Sequence, residues 1–176
     1  MSTTVQQVPT GTYLVDPVHS NVGFSIKAAG LSGFRGTFGA YDARLEDGVL
    51  SGSGALESLQ IAEEQLKGAL LSPMFFDAER FPSVAFTSGE VRPATDGSVE
   101  LAGELTMHGV TAPVVARGTV ETGQDPNGGE RVAFDLTAQI DRREFGLTWQ
   151  NKMPNRLDAV GWAVKLDVQI QLVKEA

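Results

Sequence analysis

The stretch LVDPVHSNVGFSI, Leu14 to Ile26, places Asp16, His19 and Ser20 within five residues. A carboxylate, an imidazole and a hydroxyl are the groups of a hydrolytic triad. His19 and Ser20 are neighbours in a segment that runs straight into an alternating strand, so extended backbone turns their side chains to opposite faces. They cannot serve each other as base and nucleophile. Triads are assembled from distant parts of a chain, and the G-x-S-x-G elbow is absent. The simpler expectation is a turn at Asp16-Pro17, with the His19 ring and Ser20 hydroxyl hydrogen-bonded at a barrel entrance. An enzyme built on this chain would instead use His19 or His108 as base, with Asp16 or Asp141 as acidic partner.

The two histidines show neither H-x-H nor H-E-x-x-H spacing, and the chain has no cysteine. Thiolate zinc sites, iron–sulfur clusters, disulfides and cysteine nucleophiles are excluded together, and no metal site is expected. Neither a P-loop nor a Rossmann glycine pattern is present, so no cofactor is expected. With 22 acidic against 14 basic residues and a net charge of −8, the surface repels phosphate backbones, and nucleic acid is not an expected partner. The N-terminus lacks the basic start and apolar run of a signal peptide. No stretch reaches the roughly 18 apolar residues of a membrane span, so the expected protein is not membrane-spanning and stays in the cytoplasm.

Such side chains must be positioned by strands. Val160, Trp162, Val164, Leu166, Val168, Ile170 and Leu172 alternate with polar residues, as do Val132 to Ile140 and Val99 to Met107. Shorter alternating runs cover Val22 to Ile26, Phe34 to Phe38, Val49 to Leu56, Val84 to Val91 and Val114 to Val120, each bounded by turn residues. His108-Gly109 and Asp125 to Gly129 read as hairpin turns. The one helical segment is Ala62 to Leu71, followed by a short turn from Ser72-Pro73 through Asp77. The 176 residues, 41% hydrophobic, suit one domain, 11–176, behind a flexible tail, 1–10.

About eight antiparallel strands need their edges removed, and an up-and-down barrel does this in one chain of this size; a two-sheet sandwich is the competitor. The predicted fold is therefore all-β, an eight-stranded antiparallel barrel with the helical segment capping its mouth. Eight strands enclose just enough space for side chains or one small ligand. Small residues on the inward faces, Gly36, Gly52, Gly54, Gly103 and Ala138, are expected to leave room. Aromatic residues occur in nearly every element, which reads as core packing or as an apolar tunnel.

VDPVHSNVGFSI, FRGTF at Phe34 to Phe38, LLSPMFFDAERFPSVAF at Leu70 to Phe86, GELTMHGVT at Gly103 to Thr111 and DRREFGL at Asp141 to Leu147 together resemble the YceI-like polyisoprenoid-binding family, in the family's order. The resemblance implies a lipocalin-like barrel that holds a long isoprenoid or fatty, amide-bearing chain, with no established catalysis. It implies a lining that includes Phe24, Phe34, Phe38, Phe76, Phe81 and Phe86, to which Leu105, Phe134, Ala138 and Trp162 are added. His19, Arg35, Asp141 and Arg142 are the polar candidates near an opening. A homodimer is the family tendency. The chain departs from the pattern at Lys27-Ala28, Ala69 and Gly161-Trp162, where relatives carry His, His and Gly-Asp. A less polar head group is the consequence expected of those changes.

Overall fold

The computed structural model describes residues 8–28 and 31–175; most of the expected tail, residues 1–7, lies outside them. The strands are β1 (Thr12–Val15), β2 (Asn21–Ala28), β3 (Leu31–Phe38), β4 (Tyr41–Glu46), β5 (Val49–Ala55) and β6 (Leu59–Gln60). After the helix α1 (Glu64–Leu71) follow β7 (Ser83–Glu90), β8 (Ser98–Met107), β9 (Val110–Gln124), β10 (Glu130–Asp141) and β11 (Val160–Lys174). Short 3₁₀ turns lie at Pro17–His19, Leu56–Ser58 and Arg142–Phe145.

Eight of these strands close a ring, in the order β1-β4-β5-β7-β8-β9-β10-β11, with β1 pairing back onto β11. Each neighbouring pair is antiparallel. The fifteen residues of β11 make closure possible. One edge of β11 pairs with β10 over Ala163 to Val173. Its other edge is divided, with Leu172 to Lys174 on β1 and Val160 to Gln169 on β2. Strands β2, β3 and β6 are not members of the ring; they form a wing that continues the sheet from β11 and turns Phe24, Ile26, Phe38 and Leu59 toward the interior. Val22 to Ile26 and Phe34 to Phe38 belong to this wing. Two ring positions are filled by β1 and β4, whose alternation is equally plain: Tyr41, Ala43 and Leu45 turn inward between Asp42, Arg44 and Glu46.

Two hairpins follow their turn chemistry. His108 and Gly109 take φ of +56° and +72°, the mirror-image turn whose twist matches the strands it joins. At the other end the Asp125 carboxylate accepts from the Asn127 and Gly129 N–H groups and closes the β9–β10 loop. These mark a helix end and a hairpin end of the barrel.

The interior holds two cores. The hairpin-end core contains Tyr13, Leu45, Leu101, Val132, Phe134 and Leu172, and Val8 is already buried against it. The helix-end core contains Phe24, Ile26, Leu59, Leu105, Phe145 and Val164, with Leu70 of α1 and the edge-to-face pair Phe75 and Phe76 inserted from above. Phe86 and Ala138 pack against both cores, so the waist between them lies at these residues.

Candidate functional site in the barrel waist

Asp16 and His19 do meet. The Asp16 carboxylate caps the turn Pro17–His19 through the Val18 N–H and lies 2.8 Å from His19 Nδ1. Its other partner is Arg131, at 2.9 Å. Ser20 points elsewhere: its hydroxyl donates to the Asp16 carbonyl and accepts from the Gln171 N–H. Among the described residues no hydroxyl is bonded to His19, and the imidazole is exposed. The cluster ties the start of β2 to the ends of β10 and β11.

The Asp16 carboxyl is held at about 2, below its ordinary 3.8, first by the hydrogen bond from Arg131 and then by that from His19. A carboxyl lowered on folding contributes stability that is complete above about pH 4 and is lost as pH falls toward 2. Denaturant titrations of the wild type and Asp16→Asn are therefore expected to differ most near neutrality and to converge as pH drops through that window. A gap that stays constant down to pH 2 would remove Asp16 from the acid response.

The waist is hollow. A cavity of about 150 Å³ lies between the two cores, walled by Leu50, Leu105, Val114, Leu136, Leu166 and Val168, with Ala43, Gly52, Ala116 and Ala138 at the positions that leave space. Alternation sends the exposed side chains of Asp42, Ser53 and Thr137 outward while their backbones border the void. A void this size takes a group such as benzene and stays dry when its walls are apolar.

Of the residues expected to line a site, Phe38, Phe86, Leu105 and Ala138 reach this cavity. Phe134 is buried in the hairpin-end core, Phe24 and Phe76 in the helix-end core, and Phe34 packs against the latter. Phe81 stands edge-on to His108, 5.0 Å between centroids, while His108 Nδ1 bonds the Phe145 carbonyl. Arg35 is exposed on β3, opposite Ser25. Asp141 caps the turn Arg142–Phe145, and the Arg143 guanidinium bonded to it holds its carboxyl below the usual range. Arg142 is fully buried, and Trp162 lies over its guanidinium at 4.2 Å.

The glycines divide in two. A Cβ at Gly36 would stand 2.8 Å from the Phe24 ring, and one at Gly103 would stand 2.7 Å from Phe86. The room made by these glycines is occupied by phenyl rings, so the free space comes chiefly from Gly52 and the alanines.

Comparison with known proteins bears on this hollow barrel. A YceI-like domain model matches residues 13–172. The chain belongs to the YceI-like family. A UPF0312 protein of Pseudomonas putida strain F1 is 30% identical over 162 residues, which are 92% of this chain and 81% of that one. One of Pseudomonas fluorescens is 34% identical over 155 residues, covering 80% and 78%. Among solved structures, Burkholderia cenocepacia BcnA superposes with a TM-score of 0.73 at 19% identity, covering 89% of this chain and 98% of its own. A polyisoprenoid binding domain from Saccharophagus degradans, implicated in plant cell wall breakdown, superposes with a TM-score of 0.70 at 13% identity, covering 93% and 98%. These likenesses establish the fold.

Much of the YceI-like waist, including Leu50, Val114, Leu166 and Tyr41, was not among the residues expected from sequence. Tyr41 lines the cavity, and its hydroxyl is buried with no hydrogen-bond partner among the described residues. Burial raises its pKa, and the nearby Asp16 charge pushes the same way against the pull of Ser20. The Ser20 hydroxyl nearby donates to the Asp16 carbonyl and accepts from the Gln171 N–H instead. Tyr41→Phe is expected to stabilise the unliganded protein by about 1 kcal/mol, because an unsatisfied buried hydroxyl is removed without changing shape. Urea unfolding of the two proteins checks this, and a destabilised variant would mean that the hydroxyl is bonded in solution.

Proposed function

We propose that this YceI-like protein binds, and so transports or stores, one long-chain isoprenoid-type or fatty amide-type lipid without chemically transforming it. The observation that carries this reading is the apolar void at the waist, where the barrel interrupts two well-packed cores. An interior filled for stability alone would close such a gap, since voids cost packing energy. The structural likeness to the polyisoprenoid binding domain of Saccharophagus degradans supports the same reading.

The energetics suffice. Burying about 400 Å² of hydrocarbon at ~25 cal/mol per Å² yields about 10 kcal/mol before the cost of association, which is consistent with micromolar or tighter binding. A void that takes about six carbons as benzene does holds only part of a long chain, so the rest must continue past the waist. An enzymatic reading would need a titratable group beside the bound chain. His19 and His108 both lie away from the cavity wall, which favours binding over catalysis.

Native mass spectrometry of the gently purified protein, and of stripped protein incubated with prenyl alcohols and fatty amides, tests the proposal. One apolar ligand per chain is the expected result. A barrel that stays empty in every preparation would overturn it.

A further inference from the structure

The ring has a break in one seam. Between β9 and β10 the ladder runs from Glu130↔Gln124 to Thr137↔Arg117 and stops. Both strands continue, β9 back to Val110 and β10 on to Asp141, and each stays paired with its other neighbour, β9 with β8 and β10 with β11. At the far end of the unpaired stretch, where the ladder's register would set it opposite Asp141, stands Pro113. The β8 ladder passes through Glu104↔Pro113 without interruption, so the N–H that proline lacks belongs to the β10 side. Proline inside a sheet is confined to edges for this reason, and here it stands at a local edge within a closed ring.

Outside the break lies a groove of about 660 Å³, bordered by Pro113, Val115, Arg117, Gln139, Glu144 and Lys165. Its floor includes Val114, Thr137 and Ala138, and the same three residues border the inner cavity. The rim charges are balanced. Arg117 lies 3.2 Å from Glu100, and Asp141 is paired with Arg143, while Lys165 and Glu144 have opposite signs.

We propose that the slit between β9 and β10 is the ligand portal: the apolar chain passes between Val114 and Ala138 into the waist, and an uncharged hydrogen-bonding head stays in the outer groove. This rests on the binding function proposed above and says where the chain crosses the wall. The two spaces together give a long chain the continuation that the waist alone lacks.

Retinol, an isoprenoid alcohol whose fluorescence reports an apolar environment, is a direct probe, with retinoic acid as its charged counterpart. The chain has no native cysteine, so two cysteine pairs can be introduced cleanly. Val115→Cys with Gln139→Cys spans the slit at positions that an unbroken ladder would have placed opposite each other. Thr119→Cys with Asp135→Cys spans the zipped part of the same seam. Each is closed with a short bis-maleimide and compared with its N-ethylmaleimide-treated form by stopped-flow fluorescence. Closing the slit is expected to slow retinol uptake and release at least tenfold, and closing the control pair to change neither. Pro113→Val returns the missing donor and is expected to slow both rates severalfold without any cross-link. Retinol is expected to bind at least fivefold tighter than retinoic acid.

If wild type binds retinol and every closed or restored form exchanges it at the wild-type rate, the portal is overturned while the binding function stands. If retinoic acid binds tighter, the uncharged-head assignment falls. If wild type binds neither retinoid nor any prenyl lipid, the binding function itself fails and the portal with it.

Discussion

Ala138→Phe is expected to leave the stripped protein folded, with a melting temperature at or slightly above wild type, while binding of long prenyl chains falls by at least tenfold. Ala138 sits on β10 between Leu136 and Ile140, and it is half-buried where both of those neighbours are buried. The difference arises because its methyl faces the waist cavity of about 150 Å³. Phenylalanine adds a ring, the very group that an apolar void of this size accommodates. In a filled core the same change would cost about 1–3 kcal/mol through overpacking; in a void it recovers lost contacts, an effect commonly worth about 0.5–2 kcal/mol. Thermal melts and chain-length-resolved binding on delipidated protein separate the cases. A variant that melts much earlier, yet binds long chains normally in its folded fraction, would make Ala138 an ordinary core residue.

The largest expected loss of stability belongs to Arg142. Its guanidinium is fully buried, and among the described residues no carboxylate contacts it. Its charge is spread instead over four carbonyls: Gly161 at 2.9 Å, Leu147 at 2.6 Å, Trp149 at 2.8 Å and Val160 at 3.3 Å. Phe75 and Trp162 face the same group, and burial lowers its pKa. These bonds tie the 3₁₀ turn after β10 to the segment that enters β11, along which no other regular element runs between Gly146 and Ala159. Arg142→Ala takes this donor from the Gly161, Leu147 and Trp149 carbonyls, while Val160 keeps the Gln150 side-chain amide at 2.6 Å, and a loss of about 4 kcal/mol in urea unfolding is expected. Arg142→Lys keeps the charge but not the planar fork, so it is expected to recover less than half of that loss. Full recovery by lysine would show that charge alone matters there.

Strict alternation made β8 to β11 legible, because a period of two is imposed wherever one face is buried. It also made them indistinguishable from the strands of the wing, since Val22 to Ile26 and Phe34 to Phe38 bury one face just as ring strands do. Ring membership is decided by how β11 divides its edge between β1 and β2, a long-range pairing that local pattern does not encode. Tyr41-Ala43-Leu45 carried an equally clear signal for β4, and the inward phenol would have followed from it. For the site, small residues marked where space exists but not whether a ring already fills it: Gly103 meets Phe86, while Ala138 meets the void. Pro113 was the visible sign of the broken seam, readable only once β9 was known to extend back to Val110. The helical segment stands over the helix-end core as expected, and the turn after it inserts Phe75 and Phe76 into that core.

The hollow waist also has a mechanical consequence. A void of about 150 Å³ per molecule is about 90 mL per mole, near the upper end of the volume changes seen when proteins unfold. Water fills that space once the chain opens, so hydrostatic pressure favours the unfolded state of an empty barrel. A chain lodged in the waist occupies the same space and removes that advantage. Compression therefore acts on the empty and loaded forms differently, and the volume of unfolding becomes a direct measure of how full the barrel is.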